Sequence, residues 1–321
     1  MSNISGQVSS VVVNYNAGNY LLDCVGSLYE QGIKQIIVVD NNSSDNSQLY
    51  LKRKFPDIEL VEAGANIGYG AAINMGSKLV TSLYMLICNP DIILQQGSIE
   101  SLLETIESDP TIAFVGPKIL NPDGTLYPSV RVFPSMVDAI GHAFVGLVAP
   151  NNRFSRRYRM LDWDHSATSV VDWVSGACLL ANKAHFDVLG GFDESYFMYM
   201  EDVDICWRAA QEGNKVVYNP SSRVMHVQGV SSRQHPYKMT VEHHRSLYKF
   251  FSKIASKYQY LLLPIVGFGL VIRTVLAVLK HFFFGIRFFE ISKKDSCSVF
   301  CKVEKSKFLV DFEDYGKSFY R

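Results

Sequence analysis

The strongest constraint on the fold lies in the first 120 residues, where short β-branched runs alternate with stretches of helical periodicity. Residues 10–13, 36–39, 58–61, 84–88 and 112–115 read as strands, and residues 18–29, 47–54, 71–80 and 98–108 as the helices between them. That order is the signature of βαβ units, so an open α/β sheet with parallel strands is expected. Ser43, Ser44 or Asp45 supplies a cap for the second helix. Each strand ends in polar residues: Asn14, Asp40, Asn66 after a short link, and Asn89 to Asp91. They fall at the carboxyl edge, where such sheets bind ligands.

Beyond this half the pattern changes. Residues 121–169 are irregular and rich in Pro, Arg and aromatics, the composition of a lid or acceptor-side region. Order returns with a strand at 170–180, a short helix at 183–188, a turn at Gly190-Gly191, a helix at 202–212 ended by Gly213, and a strand at 215–218. A hydrophobic share of 48% with 19% charged residues suits a chain with a substantial core. The formal net charge is zero, but residues 1–232 carry 15 Lys/Arg against 24 Asp/Glu, and residues 233–321 carry 16 against 7. A basic C-terminal part next to an acidic body points to an anionic partner, with membrane lipid and nucleic acid as the two candidates.

Four of the six cysteines (Cys24, Cys88, Cys178, Cys206) sit inside apolar or helical patterns, which fits a reducing compartment. Cys297 and Cys301 have no second Cys or His pair nearby, so a zinc site is not supported. The polar stretch from Met1 to Gln7 has no basic region followed by an apolar one, and the chain is expected to remain in the cytoplasm.

An α/β start raises the dinucleotide-binding alternative, which needs a Gly-x-Gly-x-x-Gly turn after the first strand. This chain has Asn14-Tyr15-Asn16 there, and Asn66-Ile67-Gly68-Tyr69-Gly70, with two glycines, comes only after the third strand. A nucleotidyltransferase would require a glycine-rich, basic phosphate loop at the same place, and the chain offers neither. Glu201-Asp202-Val203-Asp204 opens a helix with three carboxylates in four residues. The helix N-terminus offsets part of their repulsion, so a cap with first-turn acids is one reading. The other makes Asp202 a general base.

Taken in order, Val11-Val12-Val13-Asn14-Tyr15-Asn16, Val38-Val39-Asp40-Asn41-Asn42-Ser43-Ser44-Asp45, Asn66-Ile67-Gly68-Tyr69-Gly70, Asn89-Pro90-Asp91, Asp172-Trp173-Val174-Ser175-Gly176-Ala177, Gly190-Gly191-Phe192-Asp193-Glu194, Glu201-Asp202-Val203-Asp204 and His226 form one pattern. It resembles the family 2 glycosyltransferases of the GT-A fold, in particular their bacterial rhamnosyltransferase-like branch, over about residues 8–250. The resemblance implies an inverting transfer of one sugar from a nucleotide diphosphate, with Asp202 as base. L-rhamnose from dTDP-rhamnose is the first choice, and the acceptor is a lipid-linked or polysaccharide glycan of cell-surface synthesis. A hexosyltransferase using a UDP-sugar is the nearest alternative, and an inactive membrane-bound scaffold is one from another class.

The same resemblance assigns donor or nucleotide contacts to Asn14, Tyr15, Asp40, Asn66, Gly68, Asp91 and Arg131, and acceptor contacts to Trp173 and Glu201. Asp40 would accept the imide N–H of thymine or uracil, or else cap the turn through Ser43 and Ser44. Asp91 takes the place of the last aspartate in an Asp-x-Asp motif and, with His226, would bind Mn²⁺ or Mg²⁺, the imidazole tilting preference towards Mn²⁺. His226 read without the family is a packed strand-end histidine, Trp173 a core residue and Arg131 a solvated one.

The expected organisation is a GT-A domain over residues 1–235, its nucleotide-sugar half at 1–120 and acceptor half at 121–235. Membrane-associating amphipathic helices at 236–290 and a tail at 291–321 follow. Arg273, Lys280 and Arg287 recur every seven residues in an apolar stretch, close to two helical turns, and so form one cationic stripe. A helix lying in the interface with its basic face towards anionic headgroups is expected, with spanning and core packing as alternatives. The enzyme is thus placed at the cytoplasmic face of the cell membrane, peripheral or with one inserted segment, and without a nucleic-acid partner.

Overall fold

The computed structural model describes residues 4–136, 160, 163–227, 229 and 235–295, with residues 280–295 as backbone path only. Cys297, Cys301, most of the irregular region and the tail from residue 296 lie outside the described residues. The strands are β1 (Val8–Asn14), β2 (Gln35–Asp40), β3 (Glu59–Glu62), β4 (Tyr84–Cys88), β5 (Ile92–Leu94), β6 (Ile112–Leu120), β7 (Val130–Arg131), β8 (Ser169–Val171), β9 (Trp173–Val174), β10 (Cys178–Asn182) and β11 (Lys215–His226).

The main sheet runs β3-β2-β1-β4-β10-β6-β11-β5, with β8 added to β11. β1 to β4 are mutually parallel, as helical crossovers require, and the order reverses beside β1. β10 enters antiparallel between β4 and β6, which makes the sheet mixed. All seven residues of β1 are buried, because helices cover both faces of this part of the sheet. The helix Ser98–Glu107 turns Ile99, Leu102, Leu103 and Ile106 inward at the spacing of one helical face.

Two expectations need correction. The strand expected at 170–180 is three short strands, β8, β9 and β10, because Asp172 and the Ser175-Gly176-Ala177 turn interrupt it. The last strand is 12 residues long rather than four. It continues past Tyr218 through an irregularity between Asn219 and Arg223, where Pro220 cannot donate to the ladder. Asn219 anchors that irregularity by donating to Ser101 and Thr105. The extension carries His226 to the carboxyl edge, opposite Ile92 of β5.

The chain divides into two compact units, one of Met1–Phe133 with Met160–Ser246, the other of Pro134–Arg159 with Leu247–Arg321. The first contains the whole sheet. In the second, the 3₁₀ turn Gln259–Leu262 leads into the helix Leu263–Asp295. Pro264 occupies its first turn, where no intrahelical N–H bond is lost. Leu263, Val266, Leu270 and Ala277 form its buried face, whereas Leu261, Ile265, Phe268, Val275 and Leu279 are exposed. Arg273 is half-buried and falls beside the packed residues, not on the outward face. The expected outward cationic stripe is corrected at this position, since helical periodicity groups residue 273 with 266, 270 and 277. Over residues 263–279 the outward face is apolar, and the side chains of Lys280 and Arg287 lie outside the described ones.

Candidate active site

The loops after β1 and β2 are tied by side chains. Asn14 is buried and donates from its amide to Asp40 Oδ1 at 2.7 Å, Ser43 Oγ at 3.0 Å and Ser47 Oγ at 2.8 Å. Asp40 Oδ2 accepts from the Ser43 backbone at 2.8 Å and from the Gln48 side chain. Asp40 thus makes the contact to Ser43 that its turn-capping reading expects. Tyr15 is half-buried beside these loops, and Asn16, at φ 51°, accepts the Ser44 N–H at 2.7 Å.

Asn66 and Gly68 act on the neighbouring loop. Asn66 Oδ1 accepts from Asn41 Nδ2 at 3.0 Å, and Asn41 Oδ1 accepts from the Ile67 N–H at 2.9 Å. Gly68 has φ +92° and lies so close to the Phe197 carbonyl oxygen that a Cβ would collide with it. Next to it, the Tyr69 N–H donates to that carbonyl at 3.0 Å, and the Tyr69 hydroxyl donates to Gly176 O at 2.7 Å. The residues expected to touch the donor thus also brace the segment that leads to Glu201.

That segment is strained: Tyr199 and Met200 have φ of 68° and 70°, unusual for residues with side chains. The Ser246 hydroxyl holds it by donating to Met198 O at 2.9 Å. The helix Glu201–Gln211 then begins with three acids in three different settings. Asp202 is partly exposed, and its oxygens accept the Gly176 N–H and its neighbour Val203 N–H, both at 2.9 Å. Desolvation raises its pKa, opposed by those two amides and by the Arg131 charge. Asp204 is fully buried and paired with Arg208 at 2.7 Å. Glu201 is buried, with no ion pair among the described residues, and desolvation followed by the Asp202 charge pushes its pKa well up.

Asp91 and His226 are 135 residues apart in the chain, yet the β5–β11 ladder brings Asp91 Oδ1 to 3.1 Å from His226 Nε2. Two ligands at right angles around a cation, each at the Mg²⁺ bond length, are about 2.9 Å apart, so the pair fits one octahedral edge. Among the described residues no group of three or more His, Cys, Asp or Glu surrounds this point. The remaining positions would fall to diphosphate oxygens and water, as such cations commonly require.

Arg131 corrects its solvated reading: it is 4% exposed, its guanidinium 5.4 Å from the Trp173 ring centre. The β7–β9 pairing sets these two residues opposite each other. Trp173 is buried and donates its indole N–H to Val132 O at 3.1 Å, so packing describes it rather than an open sugar-binding wall. Tyr127, absent from the expected set, is buried edge-on against His226 at 5.5 Å between ring centres. Desolvation raises its pKa, and Arg131, Asp202, Ser175 and Asp91 all lie near enough to act on it. Gly176 was also missed as a site residue, since a backbone amide leaves no mark on a sequence beyond the small side chain that lets Asp202 approach.

Known proteins share the sequence and the fold of this chain. A family model described as Glycosyl transferase family 2 matches residues 9–173. The N-acetylglucosaminyl-diphospho-decaprenol L-rhamnosyltransferase of Mycobacterium tuberculosis H37Rv is 34% identical over 256 residues, covering 75% of this chain and 83% of that one. The rhamnosyltransferase WbbL of Escherichia coli K12 is 23% identical over 252 residues, covering 76% and 92%. Among solved structures, the mannosyltransferase PcManGT of Pyrobaculum calidifontis, in complex with GDP-Man and Mn²⁺, superposes with a TM-score of 0.54 at 16% identity, covering 85% of this chain and 75% of that one. At that identity the likeness establishes the fold.

Proposed function

The chain belongs to glycosyl transferase family 2 and is a glycosyltransferase, and from that premise we propose that it transfers L-rhamnose from dTDP-L-rhamnose, with inversion, to a polyprenyl-diphosphate-linked sugar in cell-surface glycan assembly. The names of two relatives support the sugar, and that of the mycobacterial one supports a lipid-linked acceptor. The observation that carries the chemistry is Asp202, partly exposed and aimed by two backbone amides, its pKa raised by desolvation against the pull of those amides and of Arg131.

Asp202 takes the proton of the acceptor hydroxyl as its oxygen attacks the anomeric carbon, and the bond to the diphosphate breaks on the opposite face. No covalent sugar–enzyme intermediate is needed. Asp91 and His226 would hold Mn²⁺ or Mg²⁺, which would neutralise charge on the diphosphate. Asp40 offers the second lone pair of Oδ1 to the imide N–H of the base, and backbone around Tyr15 completes that pocket. Asn14, Asn66 and Gly68 shape its loops, Arg131 faces the diphosphate, and Trp173 and Glu201 support the acceptor side from beneath.

The exposed apolar face of the stretch Gln259–Leu279, long and apolar enough to cross a membrane, supports work at a membrane surface, for which the cytoplasmic face is proposed. A screen of dTDP-, UDP- and GDP-sugars with a polyprenyl-diphosphate-linked acceptor tests the whole reading by released nucleoside diphosphate. Release from dTDP-L-rhamnose is expected. Release from a UDP-hexose alone replaces the sugar assignment.

A further inference from the structure

The three carboxylates that open the helix Glu201–Gln211 are not equivalent. Asp202 has two amide donors, and Asp204 has Arg208. Glu201 is 5% exposed, and its Oε2 is buried and meets no hydrogen-bond partner. The side chain packs against Gly70, whose Cβ position would lie 3.6 Å from Glu201 Cβ. Three phenols feel the Glu201 carboxyl, Tyr196 and Tyr199 from the segment that leads into the helix and Tyr69 from the loop beside Gly70. The acids on its own helix are Asp202 and Asp204, and Arg208 is committed to Asp204. The positive end of the helix favours ionisation, but by less than burial beside a second carboxylate opposes it. A charge here would be buried with one oxygen unpaired, whereas a proton on the carboxyl removes that cost.

We propose that Glu201 works as a neutral carboxylic acid, a positioning residue that leaves Asp202 as the single negative charge beside the acceptor hydroxyl. This rests on the reading of Asp202 as base. A second carboxylate at this place would hold protons on Asp202 and weaken it as an acceptor at neutral pH. Strain at Tyr199 and Met200 then acquires a use, since it delivers one acid to the interior and the next to the cleft.

Infrared titration of the full-length protein tests the protonation state directly. A protonated-carboxyl band is expected at neutral pH in the wild type and in Asp202→Asn, and is expected to be missing from Glu201→Gln. Glu201→Ala should lower turnover on the order of 10²-fold by disturbing the base, and Glu201→Gln, which keeps both shape and neutrality, should recover it to within about tenfold. Linkage gives a third readout. The folded-state pKa is raised, so the stability Glu201 contributes is complete below the ordinary glutamate range and is lost as pH rises through the folded value. The thermal midpoint of Glu201→Gln should therefore gain on the wild type as pH increases above about 5. A band that stays in Glu201→Gln, a glutamine variant as inactive as alanine, or a midpoint difference independent of pH overturns the proposal. Normal turnover by Asp202→Asn would instead remove the base assignment while leaving the infrared result intact.

Discussion

The backbone amide of Gly176 donates to Asp202 Oδ2 at 2.9 Å, and a methyl group at residue 176 would lie only 3.2 Å from the Asp202 Cβ. The turn between β9 and β10 and the start of the helix Glu201–Gln211 are thus fitted to each other at the one of the three helix-opening acids that is partly exposed.

Asp202→Asn should fold and bind donor but lose turnover by about 10² to 10⁴, the usual worth of a general base. Asparagine has one acceptor oxygen for two amides, so a destabilisation of about 1–3 kcal/mol accompanies the loss. Calorimetric titration of donor together with nucleoside diphosphate release checks both. Turnover near the wild-type rate would place the base elsewhere.

The acid limb of the pH–rate profile should follow Asp202. Its pKa is raised mainly by desolvation and is held down in part by Arg131, so activity should fall as pH drops through a value above the ordinary aspartate range. Removing the cation in Arg131→Met should move that limb to higher pH. A limb that stays in place shows that the guanidinium does not act on the base.

Activity should need Mn²⁺ or Mg²⁺, and Asp91→Ala should weaken donor and metal binding together because both meet at the diphosphate. His226→Ala should shift the preference towards Mg²⁺. Full turnover in excess chelator would end the metal assignment, and an unchanged preference would leave His226 as a packed residue against Tyr127.

Arg208→Ala should cost roughly 3–5 kcal/mol, because the Asp204 side chain is fully buried and loses its ion pair. Arg208 also donates to the Leu189 and Gly191 carbonyls, so the turn before Phe192 should loosen as well. Chemical denaturation measures the difference. A cost below about 1 kcal/mol would mean that Asp204 accepts a proton instead.

Replacing Phe268, 66% exposed, and Val275, 50% exposed, by glutamate should release the protein from vesicles and lower transfer to a lipid-linked acceptor, with transfer to a water-soluble one retained. Truncation before Tyr258 should act in the same direction and give a more soluble protein. Wild-type protein that ignores vesicles of every composition would return the helix Leu263–Asp295 to a packing role.

By itself the sequence determined the alternating first half, because hydrophobic periods of 2 and 3.6 residues are local properties: the strand Tyr84–Cys88 and the helices Ser47–Lys54 and Lys183–Val188 lie where periodicity put them. It also marked Asp40, Asp91, Glu201 and Asp202 as acids at strand or helix ends. Only the tertiary structure decided what each of them meets. Asp91 finds His226 through a three-residue strand too short to signal itself, on a partner that runs beyond its apolar start. Arg131, read as a diphosphate contact or a solvated residue, and Trp173, read as an acceptor contact or a core residue, become one buried pair through a two-residue ladder. The division of labour among Glu201, Asp202 and Asp204 was likewise invisible, since three adjacent acids differ only in their distances to Gly176, Arg208 and solvent. The Asp204–Arg208 pair is a local i,i+4 contact, but the Gly176–Asp202 contact and the burial of Glu201 arise from segments far apart in sequence, and no local pattern encodes those.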